Sequence, residues 1–298
     1  MEAARFDDHR VPRHDIPSGG GRSGYTLIDG RQVHYLEWGR RGAPAVVCLH
    51  GGGQTAYMYE ELGGALVDRY CVLAPDLPAH GDSDAVPDME RQSIAATIRP
   101  LLDHFGIDRA AFVGASLGGV VSVTFAAAHP ERVVAVALID IGHQLEEEGV
   151  LKIIAFMKAH ESFASLDDAA AAISEYLPYR GEVTPKRLTR NLRQRDDGRW
   201  EWKHGYGRAL REQGPISESN WRTVFDGLDD DARSLTCPVL LLRGGESDVL
   251  SDTGAGAFVD LIPNARLETV EKAGHLAAGD NPVSTVGLIA GFLDARSE

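Results

Sequence analysis

The stretch Phe112-Val113-Gly114-Ala115-Ser116-Leu117-Gly118-Gly119 constrains this chain more than any other. It reads as a buried strand that turns through Gly-x-Ser-x-Gly directly into a helix, and a turn that tight leaves almost no room for side chains on either side of the serine. Gly114 and Gly118 meet that requirement, and Gly119 lets the following helix approach a sheet closely. Ser116 then stands at the carboxyl edge of the sheet with its hydroxyl exposed. The five-residue pattern also occurs by chance as a Gly-rich turn, so its weight depends on partners elsewhere in the chain.

A serine hydroxyl needs a base to take its proton and a third group to orient that base. Two later segments supply such residues at strand ends. Cys237 to Gly244 is a continuous apolar run that ends in a Gly turn and Glu246-Ser247-Asp248. Ala265 to Val270 is a short strand leading into Glu271-Lys272-Ala273-Gly274-His275. Asp248 and His275 thus follow the carboxyl ends of strands, as Ser116 does, and that edge of a parallel sheet is where ligand-binding and reacting groups gather.

On these motifs the chain resembles the α/β-hydrolase fold superfamily, in its serine-nucleophile branch, over roughly residues 25 to 296. The resemblance implies Ser116 as nucleophile, His275 as base and Asp248 as the acid. Glu246, Asp252 and Asp140 compete for the last role, Asp140 at the alternative acid position that some members use after the preceding strand. His50-Gly51-Gly52-Gly53, after the apolar strand Ala45 to Leu49, resembles the oxyanion-hole turn, with backbone N–H groups of Gly52 and Leu117 implied as donors. Pro75-Asp76-Leu77-Pro78-Ala79-His80-Gly81-Asp82-Ser83 resembles the loop after the next strand, with Ala79 where the family usually has glycine, so a slightly different local backbone is expected there. His50 and His80 read as structural hydrogen-bonding residues of their turns.

The alternation of strands and helices predicts an α/β fold, a mostly parallel sheet with helices on both faces, and the resemblance implies that the sheet is of the eight-stranded α/β-hydrolase type. A single helix is expected over 92–105, kinked at Pro100, and others over 117–129, 150–160 and 166–176. The alternation breaks between about 142 and 234, and this partly helical insertion resembles the cap domain of many α/β-hydrolases; the resemblance then puts the core at 25–141 and 235–298, and 1–24 is read as a mobile tail. In the cap, Trp200, Trp202, His204 and Tyr206 alternate at period two. They are candidates for a pocket roof, although large aromatics more often serve packing. Gly51, Gly53 and His143 are further pocket candidates.

A net charge of −14 argues against nucleic acid or an anionic membrane as partner. No apolar run approaches the roughly 20 residues that span a bilayer, and the N-terminal segment lacks the apolar core of a signal peptide. Three cysteines, Cys48, Cys71 and Cys237, read as free thiols in a reducing cytoplasm. No Cys or His spacing suggests a metal, and no cofactor is implied. The expected activity is cleavage of a small carboxylic ester or lactone through an acyl-enzyme. Carbon–carbon bond hydrolysis, in which Trp commonly follows the histidine where this chain has Leu276, is one alternative. Others are a thioesterase or cyclase, and a binding protein of the same fold that does not turn over.

Overall fold

The computed structural model describes residues 17–203 and 221–295. Its main sheet contains β1 (Arg22–Ile28), β2 (Arg31–Trp38), β3 (Ala45–Leu49), β4 (Cys71–Pro75), β5 (Ala110–Ala115), β6 (Val133–Ile139) and two later strands. The cap contributes β7 (Ser162–Phe163), β8 (Leu192–Gln194) and β9 (Trp200–Trp202), and β10 (Val239–Gly244) and β11 (Ala265–Val270) complete the main sheet. The main sheet runs in the order β1-β2-β4-β3-β5-β6-β10-β11. Strand β2 is antiparallel to β1 and β4, and the strands from β4 onward are parallel. The helix over 166–176 lies where the apolar pattern put it.

The inner parallel strands β3 to β6 are apolar at every position because both of their faces are covered. Val47, Leu49, Phe112 and Leu241 point to one face, beneath helices Arg91–Ala96, Ile98–His104, Leu117–Ala128 and Asp252–Val259. Val46, Cys48, Val113 and Leu242 point to the other, beneath helices Glu60–Leu66 and Pro282–Asp294. Cys48, Cys71 and Cys237 are free thiols, and burial pushes each of them up.

Three expectations need correction. The first strand begins at Arg22, and Ser18 already donates its N–H to Glu60 and accepts from the Trp38 indole, so the proposed tail is anchored from there; residues 1–16 lie outside the described ones. The single kinked helix is two helices, separated at Thr97 one turn before Pro100. Pro100 then sits in the first turn of the second helix, where its missing N–H costs little. Helix Leu228–Ser234, counted with the cap, buries Leu228 and Ala232 against the main core beside helix Leu117–Ala128.

The inserted segment is not purely helical. Between helices Glu147–Ala159, Leu166–Tyr176 and Pro185–Leu188 it forms the antiparallel sheet β7-β9-β8, closed by a turn at Asp196-Asp197-Gly198 in which the Arg195 N–H reaches Arg199 O. Phe163, Ala169, Ile173, Leu188 and Leu192 make a small core of their own. Charge pairs fasten this unit to the sheet. Glu60, 1% exposed at the start of its helix, receives Arg187 and Arg190, and Lys203 pairs with Asp82 at 3.2 Å.

Candidate active site

The turn after β5 has the geometry its glycines require. Ser116 takes φ +47° and ψ −118°, a strained conformation for a residue with a side chain, and its N–H is fixed to Ile139 O at 3.1 Å. A methyl group on Gly118 would lie 1.9 Å from Leu49 O, and one on Gly114 would lie 2.4 Å from Gly118 O. The serine is the N-cap of helix Leu117–Ala128, so the positive end of that helix dipole points at the hydroxyl. The N–H of Leu117, first residue of the helix, has no acceptor within the helix itself.

The Gly51-Gly52-Gly53 turn presses against the same serine, with a Cβ on Gly51 falling 3.3 Å from Ser116 Cβ. Its shape is set from below. His50 is fully buried; its Nε2 accepts the Leu77 N–H at 2.9 Å, so the proton is on Nδ1, which donates to Gly51 O at 2.9 Å. Burial holds the imidazole below the ordinary histidine range, consistent with this neutral tautomer. The Gln54 side chain caps the turn by accepting the Gly51 N–H. His80 is likewise buried and donates through Nδ1 to Pro78 O. Ala79 takes φ +60°, so the backbone there keeps the left-handed form a glycine would adopt freely.

His275 does not meet the acid expected from the sequence. Its Nδ1 lies 2.8 Å from Asp140 Oδ2, whereas Asp248 is about half exposed and pairs with Lys152 Nζ at 3.2 Å. Asp140 follows β6 immediately, at φ +51°, and is fully buried. Its carboxylate also accepts the Gly244 N–H at 2.8 Å and the Ser247 hydroxyl at 2.6 Å. The turn after β10 therefore supplies donors to the carboxylate of the neighbouring strand, and carries Asp248 outward to the cap helix Glu147–Ala159. That helix is seated tightly on the loop: a Cβ on Gly149 would lie 2.0 Å from Asp248 O, and the Glu146 N–H bonds to Val249 O.

Ser116, Leu117, Gly51 to Gly53, Asp140 and His275 open onto a cavity of about 1230 Å³ beneath the cap. Among the described residues its walls include Ile141, Leu145, Ile153, Phe156, Met157 and Trp202, so it is chiefly apolar away from the serine. His143 and Trp200, expected at the pocket, are not among its lining residues: the His143 ring lies against Phe258, and Trp200 packs on the small cap core. Trp202 does both jobs. Its ring meets Phe163 edge-on and its indole N–H is fixed to His160 O at 2.8 Å, while one side reaches the cavity. His204 and Tyr206 lie outside the described residues. Asp140 was visible in the sequence only as a competitor; Arg180 and Asp280, beside His275, carried no sequence signal.

A model of the alpha/beta hydrolase fold family matches residues 44–282 of the chain. The chain belongs to this family. An esterase of Mycobacterium tuberculosis, Rv0045c, is 30% identical over 277 residues, covering 89% of this chain and 87% of the relative. The pimeloyl-[acyl-carrier protein] methyl ester esterase of Chromobacterium violaceum is 30% identical over 260 residues, covering 85% and 96%. Among solved structures, E-2-(acetamidomethylene)succinate hydrolase superposes with a TM-score of 0.79 at 25% identity, over 92% of this chain and 99% of that one. As a member of the alpha/beta hydrolase fold family with esterase relatives, the protein is a hydrolase. No helix among the described residues is long and apolar enough to cross a membrane.

Proposed function

We propose that the protein cleaves a small carboxylic ester or lactone through an acyl-enzyme on Ser116, with His275 as general base and Asp140, not Asp248, as the acid that orients it. The observation that carries this reading is the 2.8 Å contact between His275 Nδ1 and the buried Asp140 carboxylate, on the cavity that also holds the strained Ser116.

Asp140 keeps the proton of the neutral imidazole on Nδ1, which leaves the lone pair of Nε2 for the serine hydroxyl. As Ser116 Oγ attacks the carbonyl carbon, its proton passes to Nε2, and Asp140 stabilises the imidazolium. The charge forming on the carbonyl oxygen is met by the backbone N–H groups of Leu117 and Gly52; a donor of this kind is typically worth about 3 kcal/mol of barrier. Nε2 then gives its proton to the leaving alcohol, activates a water that attacks the acyl carbon, and returns the proton to Ser116 as the acid departs. The apolar walls favour an apolar acyl or alcohol portion and exclude bulk water once it is bound. That two relatives are named as esterases favours an oxygen ester over the carbon–carbon and thioester alternatives.

Labelling with a fluorophosphonate, in wild type and Ser116→Ala, tests the nucleophile. An unlabelled wild type would overturn the reading. A panel of p-nitrophenyl esters of graded chain length, run beside lactones and acyl thioesters, identifies the scissile bond and the acyl length.

A further inference from the structure

Building on the reading of His275 as general base, we infer that Arg180, a residue of the cap, is a positioning residue that fixes the backbone on both sides of that histidine through Asp280. Arg180 lies between helices Leu166–Tyr176 and Pro185–Leu188, far from His275 in sequence. Its Nε stands 3.3 Å from Asp280 Oδ1, and its Nη2 donates to Leu276 O at 3.4 Å. The other oxygen of Asp280 accepts the Gly274 N–H at 3.0 Å. The residue before His275 is thus held by Asp280, and the residue after it by Arg180.

Two further features suit this arrangement. A Cβ on Gly279 would fall 2.0 Å from Arg180 Nη2, so the guanidinium occupies space that only glycine leaves open. The Asp280 side chain is 4% exposed, and a carboxylate buried to that degree depends on its cation. The segment around His275 is irregular and includes Lys272 at φ +56°, so regular strand or helix bonding does not define where the imidazole stands. Arg180, Asp280 and His275 all border the cavity, but the Arg180 charge is already matched by Asp280. The pair therefore leaves no net positive charge to recruit an anionic substrate, and its geometry serves the base. It follows that correct seating of the cap and correct placement of the general base are one event.

The test compares wild type with Arg180→Met, Arg180→Lys and Arg180→Met/Asp280→Asn. It reads steady-state hydrolysis of a p-nitrophenyl ester and the second-order rate of Ser116 labelling by a small fluorophosphonate, which needs the base but little of the cap pocket. In Arg180→Met, kcat and the labelling rate should fall together by about 10- to 100-fold, the cost expected for a misplaced reacting group. KM should move less than about threefold. Arg180→Lys, which keeps the charge but not the fork, should retain more of both rates. The double variant, which removes the unpaired carboxylate while keeping an acceptor for Gly274, should be no worse than Arg180→Met. If Arg180→Met does not fold, the same two rates in Arg180→Lys decide. A raised KM with kcat and labelling unchanged would make Arg180 a substrate contact and overturn the proposal. Normal labelling of wild type that neither single variant changes would also overturn it, leaving the hydrolase reading intact. A wild type that is not labelled at all defeats that reading itself.

Discussion

Replacing Asp140 by asparagine should remove nearly all activity while leaving the fold in place. The carboxylate takes three donors: Gly244 N–H on Oδ1, and the Ser247 hydroxyl and His275 Nδ1–H on Oδ2. An amide has only one oxygen to offer. If it faces His275, the NH2 group opposes the Gly244 N–H, a buried donor against a donor. If it faces Gly244, the NH2 group points at Nδ1, which must then give up its proton and accept. The ring moves to the tautomer with hydrogen on Nε2, and the lone pair needed by Ser116 is gone. A substitution of this type at an acid that orients a histidine lowers kcat by about 10⁴-fold, equivalent to about 5.5 kcal/mol of barrier. Asp248→Asn disturbs only an exposed pair with Lys152 and should change kcat/KM by less than about fivefold. The assay is kcat/KM on one p-nitrophenyl ester for wild type and both variants, with thermal melts to confirm folding. A loss of several orders of magnitude in Asp248→Asn with near-wild-type activity in Asp140→Asn would refute the assignment.

Three further outcomes are expected. Gly118→Ala would drive a methyl group into Leu49 backbone and should lower Tm by about 5 °C or more, whereas Gly291→Ala, in a helix with open space around it, should leave Tm unchanged or raise it; differential scanning fluorimetry separates the two. Burial by itself would raise the pKa of Asp76, but the 2.6 Å contact with His34, together with the Ala56 N–H, brings it down to about 2. Because the folded value lies below the unfolded one, this carboxylate contributes about 2 kcal/mol at neutral pH that is lost as pH falls from about 4 through 2, and Asp76→Asn should flatten that part of an acid-unfolding curve followed by circular dichroism. Glu60→Gln should loosen the cap by weakening its pairs with Arg187 and Arg190, seen as faster proteolysis within 142–203 while the sheet resists.

The architecture was legible because its signals are local and repeated. Short apolar runs bounded by turn residues, such as Val46–Leu49 and Val239–Leu242, read as strands covered on both faces, and three glycines around Ser116 accommodate a tight turn. The place of His275 at the cavity was legible because it follows the last strand. The carboxylate that meets His275 was not, since Asp140 and Asp248 both come after apolar strands and differ in something sequence does not carry. Asp140 leaves β6 at once through a left-handed residue, which aims its side chain under His275, while Gly245-Glu246-Ser247 carries Asp248 past the site toward Lys152. Arg180 and Asp280 were invisible for a related reason: about a hundred residues separate them, and only the docking of the cap brings them together.

The proposed acid after β6 has a consequence for how such a protein can change. On the proposed assignment, the nucleophile Ser116 and the acid Asp140 follow adjacent strands, bonded directly through Ser116 N–H and Ile139 O. Outside Ser247, which bonds Asp140, the turn after β10 then holds no member of the proposed triad and serves as a seat for the cap helix. Substitutions at Glu246, Asp248 or Val249, which border the cavity as well as the cap helix, would therefore alter the seat of the cap and the pocket wall while leaving that pair of strands in place.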